Sequence, residues 1–195
     1  MRARRWGTGL RAGVLLVLLG GAVVASAQPA RQPVNERGAA DAPITVQEFC
    51  TYDSEACSRL QIVLESVLAE FGDRVRLVFR HVPADDTPAG SLRYRAALAA
   101  GEQGQFWAMH DLLMANRQRA TAAEIPMMAH QLGLDAERFR ADIDSADVAA
   151  AAASARDEAR AQNVSTTPSV IVNGRPAAVG VKNLRTAIRA ALTAR

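Results

Sequence analysis

The chain holds two cysteines, Cys50 and Cys57, in the stretch Glu48-Phe49-Cys50-Thr51-Tyr52-Asp53-Ser54-Glu55-Ala56-Cys57. Two thiols this close can pair as a disulfide, exchange with another thiol, or hold a soft metal ion. His81 would complete a donor set with them for copper or zinc. However, C-x6-C is not a recognised ligand spacing and the ligands of a zinc ribbon are lacking, so no metal site is assigned. Ser54 stands between two acids, Asp53 and Glu55, with no base beside it, which makes its hydroxyl a poor nucleophile. As a helix N-cap it fits well: its oxygen would reach the amide of Cys57 at N3, and the flanking carboxylates complement the helix dipole. Cys57 by itself reads equally as a small buried hydrophobe.

Charge and composition narrow the partners. Of the 23 basic residues, four (Arg2, Arg4, Arg5, Arg11) lie in residues 1–27, which hold none of the 20 acids; the other 168 residues carry a net charge of −1. No basic excess remains to neutralise phosphates, so nucleic acid is not an expected partner. Residues 1–27 read as a secretory signal: a cationic start, an apolar run from Ala12 to Ala25, and the small residues Ala25-Ser26-Ala27 as a cleavage site. The run is short of the roughly 20 residues of a membrane-spanning helix, so membrane attachment is expected only if the signal stays uncleaved. A periplasmic or secreted location follows, and with it an oxidising environment in which cysteines tend to pair.

The elements that must position these residues are legible from periodicity. Residues 28–40 are polar, contain two prolines and read as a flexible lead-in. Ile44 to Phe49 alternates and is rich in β-branched residues, as a strand does. Leu60, Val63, Leu64, Val67, Leu68 and Phe71 form one helical stripe that Gly72 would end. Val75 to Val82 is a second strand stopped by Pro83, and residues 88–163 are Ala-rich and read as several helices broken near Gly101, Gly104 and Gly133. Two short apolar runs flank Asn173-Gly174, a hairpin signal, before a last helix with Leu184, Ile188 and Leu192. Strand, helix and strand argue for a parallel pair to which the hairpin adds antiparallel strands, an α/β fold.

Taken together, ITVQEFCTYDSEACSRL after a signal, VRLVFRHVP, GEQGQFWAMHDLL, LGLDAERF and TTPSVIVNGR resemble the DsbA-like thioredoxin-fold family over about residues 41–193. The resemblance implies a mixed sheet flanked by helices, a helical insert at about 88–163 within a domain of residues 41–195, and thiol–disulfide exchange on exported protein or peptide clients. A redox partner would recharge it, and no cofactor is implied. The family reacts through Cys-x-x-Cys at the start of the first helix, and the matching stretch here is Ser54-Glu55-Ala56-Cys57. Cys57 then matches the resolving cysteine, while serine stands where the attacking thiol belongs. Glu48 matches the family's buried acid beneath the second cysteine, against a plainer reading as an edge-exposed polar strand residue. Thr167-Pro168 matches the cis-proline loop that offers backbone hydrogen bonds to an extended client, against a trans proline opening a strand. His81 and His110 read as structural, and Phe106 and Trp107 as core of the insert.

Cys50 has no counterpart in the family pattern. It shares a strand face with Glu48, so on a regular strand it projects toward Cys57. Two outcomes stay open: a bridge closing a loop of about eight residues, worth about 2.5 kcal/mol in chain entropy, or two thiols held apart by strand-to-helix geometry. Three functions compete accordingly. The chain is a thiol–disulfide exchange protein whose turnover is weak or lost, a non-catalytic peptide-binding or chaperone-like module, or a metal carrier.

Overall fold

The computed structural model describes residues 35–82 and 88–194. The expected signal, residues 1–27, and the start of the lead-in lie outside the described residues, as does Pro83. Strand β2 (Ile44–Cys50) runs into helix α1 (Glu55–Phe71), and a turn of 3-10 helix leads to β3 (Val75–His81). Strands β2 and β3 pair in parallel, in a register running from Ile44 opposite Val75 to Cys50 opposite His81. The hairpin of β4 (Ser169–Val172) and β5 (Arg175–Ala177) adds antiparallel strands, β4 lying against β2. The order across the sheet is β1-β3-β2-β4-β5, with the edge strand β1 formed by Glu36–Arg37. Helices α2 (Pro88–Gly101), α3 (Phe106–Ala115), α4 (Ile125–Gln131), α5 (Ala136–Ile143) and α6 (Ala146–Ala161) make the insert, and α7 (Val181–Thr193) closes the chain.

Local chemistry explains these elements. On α1 the expected stripe is the buried face, Leu60, Leu64, Val67 and Phe71, with Val63 and Leu68 partly covered. Gly72 ends the helix at φ 53°, where its N–H bonds the carbonyl of Leu68. Asn173 and Gly174 take φ 45° and 78°, the two left-handed positions that a tight hairpin turn requires. The C-terminal half of helix α2 shows no stripe because Ala96, Ala97, Ala99 and Ala100 are all fully buried, so small residues face its neighbours on every side there.

One expectation is corrected. The lead-in through residue 40 is not uniformly unstructured, since Glu36–Arg37 pairs with β3. Asn35 donates its side-chain amide to the carbonyl of Phe79 and accepts from the Phe79 N–H. The Trp107 indole donates to the Glu36 carbonyl, and the Arg37 guanidinium lies 4.5 Å from the Trp107 ring centre. Gly38, at φ 106°, passes so close to β3 that a Cβ would sit 2.5 Å from the carbonyl oxygen of Val75. The strap is held by backbone pairing, the Asn35 and Trp107 side-chain hydrogen bonds, the Glu36–Arg76 and Arg37–Asp111 ion pairs and a cation–π contact, none of which leaves an apolar period in the sequence.

Candidate functional site

Alternation along β2 turns Val46, Glu48 and Cys50 toward α1, while Phe49 faces the other side and packs with Ala159 and Ile171. Ser54 caps α1 in an extended conformation, and its Oγ accepts from the Cys57 N–H at 3.3 Å. That cap places Cys57 in the first turn, facing the end of β2. Cys50 and Cys57 are joined in a disulfide with Cα atoms 5.7 Å apart, inside the range the bond requires. Strand-to-helix geometry therefore brings the two together. Both half-cystines are 0% exposed, whereas Ser54 is half-buried at the tip of the helix. Exchange requires a thiolate to reach a sulfur along the S–S axis, and a fully buried bridge offers no such approach while the segment around it stays closed.

Glu48, two residues before Cys50 on the same face of the central strand β2, is 0% exposed, so the edge-exposed reading does not hold. Its Oε1 accepts from Gln61 Nε2 at 2.5 Å, and its Oε2 has no hydrogen-bond partner among the described residues. Burial pushes the carboxyl up to about 8, only partly opposed by the Gln61 bond. Glu48 is thus a neutral acid at pH 7.

His81, opposite Cys50 in the strand register, stacks on Tyr94 with ring centres 4.5 Å apart, and both its nitrogens lack hydrogen-bond partners among the described residues. His110 Nδ1 and the Tyr52 hydroxyl share a hydrogen bond of 3.1 Å, and the His110 ring meets Phe79 edge-on at 4.5 Å. Burial lowers both histidines to about 3, so both are neutral members of an aromatic core, as their structural reading expects. The donor set Cys50, Cys57 and His81 is not available to a metal here because the two sulfurs are bonded to each other. Among the described residues no group of three His, Cys, Asp or Glu could hold an ion.

The Thr167–Pro168 peptide is cis. Phe49 pairs with Ser169 across β2 and β4, and continuing that register by one residue brings Pro168 abreast of Cys50. His81, Cys50 and Pro168 therefore form one row across the end of the sheet. A groove of about 500 Å³ runs from this loop along the hairpin, bordered by Ser165, Thr166, Pro168, Ile171 and Val179. Val179 is exposed at its rim.

Sequence reasoning missed the residues that hold the segment between the half-cystines. Arg93 on α2 pairs with Asp53, Arg117 after α3 pairs with Glu55 at 3.5 Å, and Ser58 Oγ donates to the Met114 carbonyl at 2.9 Å. Isolated arginines in a helical stretch carry no positional signal. The FWAMHD stretch was the nearest thing to one, since it contains the partner of Tyr52.

The family model described as thioredoxin matches residues 32–190. A thioredoxin-like oxidoreductase from Silicibacter pomeroyi is 29% identical with a TM-score of 0.73, covering 82% of this chain and 92% of that one. Oxidised BdbD from Bacillus subtilis gives the same TM-score at 19% identity, covering 82% and 92%, a likeness of fold alone. The Na(+)/H(+) antiporter NhaA 3 of Salinispora tropica is 37% identical over 140 residues, 71% of this chain. The chain spans about a fifth of the length of the curated relatives it matches, 21% in that case. Among the described residues no helix is long and apolar enough to cross a membrane.

Proposed function

The chain belongs to the thioredoxin family, and from that premise we propose that it acts on exported proteins or peptides as a thiol–disulfide exchange protein of very low turnover. The observation that carries this reading is the exchange of places at the site. Oxygen stands at the half-buried helix tip, and the sulfur that would resolve a mixed disulfide is instead bonded to Cys50 in the interior. A hydroxyl forms no disulfide, and the displaced pair reacts only after the segment between its members opens. Clients would lie across the Thr167–Pro168 loop and its groove, and Glu48 would take up or release the proton of a Cys57 thiol once reduced.

Residues 1–27 serve in this reading as an export signal, with the domain of residues 41–195 acting in the periplasm or outside the cell. A peptide-binding or chaperone-like module is the second reading. It is favoured by the same buried bridge, because the groove beside Pro168 does not depend on redox chemistry.

Reductant-driven insulin precipitation and refolding of reduced ribonuclease separate the two. The expected result is turnover on the order of a hundredfold below that of a thioredoxin-fold enzyme with an intact Cys-x-x-Cys, abolished by Cys50→Ala. Turnover equal to such an enzyme contradicts the proposal. Residual activity that survives Cys50→Ala would mean that the bridge is not the reacting pair.

A further inference from the structure

We propose that the helical insert gates the Cys50–Cys57 disulfide, with Arg93 and Arg117 as the residues that hold the gate shut. Along the segment joining the half-cystines and the turn that follows, nearly every other residue is tied to the insert. Tyr52, fully buried, bonds His110 on α3. Asp53 pairs with Arg93, whose Nε also donates to the Ala120 carbonyl at 2.9 Å. Glu55 pairs with Arg117, and Ser58 bonds the Met114 carbonyl. The Arg93 and Arg117 side chains are 13% and 24% exposed while Asp53 and Glu55 are 40% and 64% exposed, so each pair is sheltered on its arginine side only and contributes at most about 1 kcal/mol. The bridge thus lies behind a segment anchored to a different part of the chain from the strand and helix that carry its sulfurs.

The chemistry makes such anchors rate-setting. A thiolate attacks one half-cystine, forms a mixed disulfide and expels the other cysteine as a thiolate. With a dithiol reagent, its second thiolate then displaces the protein sulfur. The reagent leaves as a cyclic disulfide, two electrons have passed to the bridge, and Cys50 and Cys57 take up protons. Neither attack can begin while both sulfurs are fully buried. The observed rate is therefore the intrinsic exchange rate multiplied by the small fraction of molecules in which residues 51–57 have opened. Weakening the anchors raises that fraction without touching the sulfurs.

The inference rests on the proposed exchange reading only in that the same two sulfurs react. The test therefore uses dithiothreitol, which needs no client groove, and a failure of the insulin assay leaves it intact. In the full chain under native conditions, reduction of the bridge is followed by quenched alkylation, together with hydrogen exchange along α1. Arg93→Ala with Arg117→Ala should accelerate reduction about tenfold. The Cys57 and Ser58 amides should lose protection by a similar factor, with those of Leu64 to Phe71 unchanged. Arg93→Lys, which keeps the charge opposite Asp53, should restore most of the slow rate.

A double variant reduced within twofold of the wild-type rate overturns the gate. So does an acceleration matched by equal loss of protection throughout α1, which would mean global unfolding. A bridge that stays oxidised in every variant until denaturant is added also overturns it.

Discussion

Combining Ser54→Cys with Cys50→Ala should raise reductase turnover on the order of a hundredfold over the wild-type chain. The new thiol would stand at the N-cap of α1, where Ser54 Oγ now accepts from the Cys57 amide, so its thiolate meets backbone N–H groups and the positive end of the helix. Asp53 and Glu55 would oppose that anion if bare, but Arg93 pairs with the first, and Arg59 and Arg117 with the second. Removing Cys50 frees Cys57 to resolve mixed disulfides. Ser54→Cys alone should gain little, because Cys57 stays tied to Cys50. Insulin reduction measures all three proteins. A double variant no faster than wild type would mean that the scaffold around the helix tip no longer supports exchange, and the account of the site would fall.

Glu48→Gln should change how stability depends on pH. Burial raises the Glu48 carboxyl from 4.5 to about 8, so the folded protein binds a proton there that the unfolded chain has released. Between these values the folded state holds more protons, and stability falls as pH rises. The full penalty, reached above pH 8, is on the order of 5 kcal/mol from the size of that shift. Glutamine keeps the shape and carries no charge. The variant should therefore match wild type near pH 4, lose little between pH 5 and 8, and be clearly the more stable protein at pH 8.5. Urea unfolding of the oxidised proteins across this range checks the prediction, and parallel profiles would contradict it.

How much of this was legible in the sequence depends on whether a feature is periodic or relational. The α1 stripe and Asn173-Gly174 are local patterns, and each led to the element observed. Glu48 and Cys50 could be placed on one face by strand parity alone. Whether Cys50 reaches Cys57 could not be read, because it depends on how the chain turns from β2 into α1 over Thr51 to Ser54. That turn is anchored by residues far along the chain, with Tyr52 bonded to His110 and Asp53 paired with Arg93. The strand at Glu36–Arg37 escaped for a related reason, since two residues have no period and their partners lie on β3 and α3. Helix α2 hides its packing in another way: alanines on all sides give no moment to read, although its interior alanines are fully buried.

The most direct measurement of the central claim is a count of alkylated thiols on the intact, unreduced protein. Native protein should take up no label, protein unfolded without reductant should still take up none, and unfolding with reductant should give two. Two labels on the native protein would mean that Cys50 and Cys57 are free thiols in reach of solvent, contradicting the buried bridge on which the suppressed turnover and the gate both depend.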